Sequence, residues 1–152
     1  MTDIAALARA ILQDNVYVVL ATADADGNPW ATPVWFAADG LERLFWLSWP
    51  GSRHSVLLAG RPEVALTVFD STAPPNEGTA FYAVARASEC PAPLLDEGLR
   101  VLDRRGQGQG LPAWTPDRVT GAARLRLYVA EIREAWVLDP DAPVDQRAPV
   151  PS

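Results

Sequence analysis

Apolar residues recur at two different periods along this chain, and the switches between them mark out its elements. Ile4, Leu7, Ala8, Ile11 and Leu12 fall at helical spacing, with Thr2 or Asp3 placed to cap a helix that runs to about Asp14. From Val16 to Ala23 the pattern becomes β-branched and apolar on both faces. That predicts a strand buried on both sides, between a barrel interior and a covering helix. Asp26-Gly27 then signals a hairpin, and Trp30–Ala37 is the returning strand. Pro33 lies inside that strand and cannot donate to a ladder, so the strand is either an edge there or has one side left open, a place that would suit a ligand. Asp39-Gly40 predicts a second tight turn, and Leu44–Trp49 a third strand.

Pro50-Gly51 interrupts the sheet, and Ser52 has the position of an N-cap for a short helix through Val56, Leu57 and Leu58. Gly60 is expected just past its end, with Pro62 beyond. Val64–Phe69 and Thr79–Ser88 read as strands on either side of a Pro-rich loop. Pro93–Arg105 reads as a helix with Leu94, Leu95, Leu99 and Leu102 on one side, and Arg124–Val137 as a long last strand. Thr115 and Pro116 open a short turn between them. The order is α-β-β-β-α-β-β-α-β. Short hairpins require antiparallel pairing, so the fold is mainly β with flanking helices: six antiparallel strands in a small closed or split barrel. One domain is expected over residues 1–140, followed by a mobile Pro-rich tail over 141–152.

Composition narrows the chemistry. Hydrophobic residues make up 49% of 152, enough for a real core. A net charge of −6 excludes a general nucleic-acid binder, which needs a basic surface to neutralise phosphates. All thirteen basic residues are Arg, so lysine nucleophiles and Schiff bases are excluded. One Cys (Cys90) and one His (His54) leave no intrachain disulfide and no Cys/His zinc site. The N-terminal segment reads as an amphipathic helix with acidic residues, not as a signal peptide, and no apolar run approaches a membrane span. The expectation is a cytoplasmic protein.

The functional signal lies between Val16 and Ala65. There a small polar and basic cluster, Ser52-Arg53-His54, opens a helix beside strands rich in Trp (Trp30, Trp35, Trp46, Trp49). A helix N-terminus offers unpaired N–H groups and about half a positive charge, and an Arg fork suits phosphate oxygens. A flat aromatic ligand carrying a phosphate would suit such a place. The plain alternatives are a solvated helix cap and a Trp-rich barrel or dimer core. Gly106–Gly110 (GQGQG) lacks the Lys-Ser/Thr of a phosphate loop and reads as a flexible rim. Cys90 has no basic neighbour in sequence and reads as inert, and Asp96, Glu97 and Asp103 as the solvated face of a helix.

Four segments in order, LATADADGNPWATPVWF, LFWLSWPGSRHSVLLAGRPEVAL, GTAFYAVARASE and LRLYVAEIREAWVLDP, resemble the pyridoxamine 5′-phosphate oxidase-like family, over roughly Ile4 to Pro140. The resemblance implies the FMN-binding split-barrel fold and a homodimer with flavin sites at the subunit interface. It implies that Thr32, Pro33, Val34 and Trp35 line the flavin ring. It further implies that Ser48 and Trp49 flank the ribityl chain and that Ser52, Arg53 and His54 hold the phosphate. The chain departs from the pattern in having His54 where the family often has Lys, and no Arg at Ala31 or Thr32. The C-terminal Trp-and-Arg region by which true oxidases hold pyridoxamine phosphate is not recognisable, so that substrate is not expected.

The resulting expectation is an FMN-binding oxidoreductase that passes a hydride to or from a small organic substrate. Its alternatives are a reductase using the deazaflavin coenzyme F-420, with Arg53, Arg61 and Arg86 toward the acidic tail, or a non-catalytic flavin- or haem-binding carrier or sensor with His54 toward haem. A structural dimer without cofactor is a third class.

Overall fold

The computed structural model of the chain describes residues 1–152. Its elements are α1 (Ile4–Asp14), β1 (Tyr17–Ala23), β2 (Pro29–Asp39), β3 (Arg43–Ser48), α2 (Arg53–Gly60), β4 (Glu63–Phe69), β5 (Ala80–Glu89), α3 (Leu95–Gln107), β6 (Arg126–Leu138) and β7 (Arg147–Pro149), with 3-10 turns at Ala92–Leu94 and Pro116–Arg118. All strand pairs are antiparallel, in the order β3-β2-β1-β4-β5-β6, and β3 also pairs with β6. The sheet therefore closes into the expected six-stranded barrel, with β7 as an added strand on β6.

The two Asp-Gly turns do what their composition predicts. Gly27 has φ +84° and Gly40 φ +57°, a region a residue without Cβ enters at little cost. At the first hairpin the Asp24 carboxylate accepts the N–H groups of Asp26 and Asn28, both at 2.9 Å. Asp3 caps α1 by accepting from Ala6 N–H.

Two apolar clusters hold the molecule. Inside the barrel, Val18, Leu20, Phe36, Leu44, Trp46, Leu66, Val68 and Phe81 pack together, and α1 adds Ala8, Ile11 and Leu12. Burying each large side chain of this kind stabilises the fold by about 1.5–3 kcal/mol. Trp46 stacks on Tyr128 with centroids 5.9 Å apart. Outside the barrel, α3 lays Leu99 and Leu102 on Phe45, Leu127 and Val129. Gly98 permits that close approach: a Cβ there would lie 2.7 Å from Leu127 Cδ2 and 2.8 Å from Phe45 Cε1.

Four expectations need correction. The outer face of β1 is not covered by a helix: Tyr17 is 61% exposed and Ala21 is exposed, because α3 lies over β2, β3 and β6 instead. The segment expected as a mobile tail pairs through β7 with Trp136–Leu138, and Ala148 and Val150 pack against the barrel core. Asp141 also accepts from Thr2, so both chain ends meet. Gly60 is the last residue of α2 rather than the first beyond it, and the Arg61 N–H caps Leu57 C=O. Finally, α3 starts later than Pro93 and continues through Gln107, so only the last part of GQGQG is a loop.

Candidate functional site

The site begins with a divergence of strands. β2 pairs with β1 along Pro29–Trp35, but with β3 only along Phe36–Asp39. From Pro29 to Trp35 one edge of β2 is therefore unpaired. Phe36 N–H donates to Val16 C=O, which fixes the alternation along the strand. Backbone groups of Thr32, Val34 and Phe36 face β1, and those of Ala31, Pro33 and Trp35 face away from it. Pro33 lies opposite Val19 at a non-hydrogen-bonded position, so its missing N–H costs the β1 ladder nothing. The open side anticipated from Pro33 is thus present, and it displays the Ala31 N–H and the carbonyls of Ala31 and Pro33.

The side chains of this stretch divide between two faces. Val34 points toward the barrel core, with half-buried Thr32 on the same face, while Pro33 is exposed and Trp35 packs in the outer cluster under α3. The Trp35 indole N–H donates to Gln109 Oε1 at 2.7 Å, which ties it to the rim loop. The four residues read as lining a ring therefore share an exposed backbone edge rather than a common side-chain surface.

The basic cluster lies next to that edge. The Ser52 side chain caps α2 by accepting the Ser55 N–H, and Ser52 C=O accepts the Val56 N–H at 3.0 Å. The N–H groups of Arg53 and His54 have no partner within the helix, as expected of a first turn. The Arg53 guanidinium stacks over the Trp30 ring, 4.5 Å from its centroid, and takes part in no ion pair. Trp30 precedes Ala31 in β2, so this contact joins the free strand edge to the helix start. At the other end of α2, Arg61 donates to Asp24 C=O at 2.9 Å and pins the hairpin tip.

His54 is held differently from a free cation. Its Nε2 contacts the Ser48 hydroxyl, and the Ser52 hydroxyl at 3.3 Å. Burial lowers its pKa below the usual 6.5, so the imidazole is neutral at pH 7. Ser48 is itself buried at the end of β3, and Ser52 donates to Ser55 at 2.8 Å. Trp49 is 58% exposed, with its ring over Gly51 so closely that any side chain there would collide with it. The structure thus brings Ser48, Trp49, Ser52, Arg53 and His54 together at one corner. Trp30 and Ser55 were not singled out as site residues from sequence; Ser55, three residues after the cap, carried a signal that could have been read. Among groups of Asp, Glu, His and Cys none has the arrangement of a metal site.

The family profile of pyridoxamine 5′-phosphate oxidase matches residues 4–137, nearly the whole barrel. The chain belongs to the pyridoxamine 5′-phosphate oxidase family. Solved structures with this fold include HutZ, the haem storage protein from Vibrio cholerae, with TM-score 0.66, 19% identity, and coverage of 87% of this chain and 92% of that one. A FAD-binding protein from Mesorhizobium loti superposes with TM-score 0.62 at 20% identity, covering 87% and 91%. An F420 reductase superposes with TM-score 0.58 at 24% identity, covering 84% and 94%. No protein of curated function matches the sequence. These three proteins share the fold and differ in their named roles, so the site residues here are read on their own chemistry. No helix here is long and apolar enough to cross a membrane.

Proposed function

We propose that this protein is a homodimeric FMN-binding oxidoreductase, with the flavin held between the free edge of β2 and the N-terminus of α2. One observation carries the reading: Arg53 stacked on Trp30 sets a cation and two unpartnered helix N–H groups beside an unpaired strand edge. The residues fit the group. The Ala31 N–H and the Ala31 and Pro33 carbonyls offer both donor and acceptor to the polar rim of a flat heterocycle. Arg53 and the α2 N–H groups suit a phosphate monoester. When bound, FMN supplies hydride transfer to or from a small organic substrate. The chain orients it and screens it from water with Trp49 and Trp30, and no side chain here needs to serve as general acid or base.

The uncovered outer face of β1, β4 and β5 supports the dimer reading. Tyr17 (61% exposed), Phe69 (47%) and Val84 (41%) lie there with no helix above them. A second copy would bury this face and bring its own residues over the flavin. The fold-level likeness to an F420 reductase keeps coenzyme F-420 as the second reading. Haem is disfavoured by the contacts of His54, whose Nε2 would have to give up both serines to reach iron.

The test is the visible spectrum of the purified protein, alone and after addition of FMN, F-420 or haem, with its mass by sedimentation. Oxidised-flavin bands on a dimer support the proposal. A Soret band, or a protein that takes up none of the three, overturns it.

A further inference from the structure

A second basic cluster lies far from the α2 corner. Arg9 of α1 and Arg104 and Arg105 of α3 line one cavity of about 430 Å³, together with Leu12, Val101 and Ala38. Gln13, Gly40 and Gly108 complete its wall, and no carboxylate lines it. Ala38 is seven residues along β2 from Ala31, about 23 Å at strand rise, so within one subunit this is not the proposed flavin site. The volume falls in the range of small-molecule pockets.

The three arginines are not equivalent. Arg105 is locked: Nη1 donates to Gln13 C=O at 2.6 Å and Nη2 to Asn15 C=O, which satisfies carbonyls at the end of α1, while its Nε is buried with no partner. Helix-end capping therefore accounts for Arg105. It does not account for Arg9 and Arg104, which are exposed, make no side-chain hydrogen bond and join none of the ion pairs of the chain. Arg9 and Arg104, on different helices and free of ion pairs, thus line an apolar-floored cavity beside a third fixed positive charge. Asp14 at the end of α1 acts electrostatically on Arg105 without forming an ion pair, so in a chain of net charge −6 three arginines here outweigh one nearby carboxylate.

We infer that this cavity is a second ligand site, for a small phosphate monoester or diphosphate. Arg9 and Arg104 would clasp the phosphate from the two helices, and the Leu12, Ala38 and Val101 floor would take the apolar part of the ligand. Forked donors on both sides favour phosphate over a single carboxylate.

The test is calorimetric titration of the full-length protein with pyrophosphate at low ionic strength, in the absence of flavin. Both proteins compared carry Arg53→Ala, which removes the charge at the α2 corner: the Arg53→Ala variant itself and the Arg53→Ala/Arg9→Ala/Arg104→Ala triple variant, with circular dichroism confirming that each is folded. The expected result is saturable binding to Arg53→Ala that the triple variant weakens at least tenfold. No saturable binding to Arg53→Ala at millimolar pyrophosphate, or binding equally strong in the triple variant, overturns the inference. The outcome is independent of whether the protein binds FMN.

Discussion

Replacing Arg53 with Ala isolates the phosphate half of the proposed flavin site. The guanidinium makes no ion pair, so its removal strands no buried carboxylate. What the fold loses is the stack on Trp30, a ring 41% exposed, which contributes about 0.5–1 kcal/mol. The variant should therefore fold normally. What the complex loses is the charge-assisted bonding to the phosphate, about 1.5–3 kcal/mol, or a rise in Kd of about 10- to 150-fold. Binding should not vanish, because the backbone N–H groups of residues 53 and 54 and the β2 edge remain. The neutral imidazole of His54 cannot replace the missing charge. Fluorescence titration reads the affinity, with riboflavin as the control that lacks the phosphate. The expected outcome is a large loss for FMN and almost none for riboflavin, with the salt dependence of FMN binding reduced in the variant. The reasoning is refuted if FMN affinity changes less than about threefold, or if riboflavin is weakened as much as FMN.

Three other outcomes test other parts of the structure. Gly98→Ala should destabilise the protein by about 1–3 kcal/mol in urea unfolding, although Ala is the better helix former by about 1 kcal/mol, because its methyl would strike Leu127 and Phe45; a stabilised variant would show that α3 is looser than described. His54 is held neutral by burial, so the unfolded chain binds the proton more readily; stability should be complete above the ordinary imidazole value of 6.5 and fall as pH drops through and below it. The urea midpoint of His54→Asn should be flatter than that of the wild type between about pH 7.5 and pH 5.5, and parallel curves would rule this out. The Cys90 thiol is pushed up to about 11, chiefly by burial, so thiol reagents should label it slowly at pH 8 in the native protein and fast in denaturant; equal rates would contradict that environment.

Much of the barrel is legible in the sequence. The Asp-Gly turns, the β-branched runs and the cap at Ser52 are local devices whose physics acts within a few residues. Pro33 carried a longer inference, because a residue without an N–H inside a strand marks a side with no ladder bond to make. Legibility ended where partners were distant. Trp35 was read toward a ligand, yet its indole is taken up by Gln109, seventy-four residues away. The apolar outer face of β1 implied a cover, but the position of α3 was settled by Gly98 and the leucines beside it, which fit the β3–β6 side. The Pro-rich end lacked any periodic signal, and β7 forms because the second half of β6 extends past β3 and leaves an edge to fill.

By itself the sequence determined the element order, the antiparallel hairpins and a capped basic helix start, since each depends on residue type and near neighbours. Only the tertiary structure decided that β2 leaves β3 at Phe36, that Arg53 meets Trp30, and that His54 is neutral between two serines. Strand divergence, ring stacking and desolvation are properties of closure. They arise when segments far apart in the chain are forced into one barrel, and no local pattern encodes them.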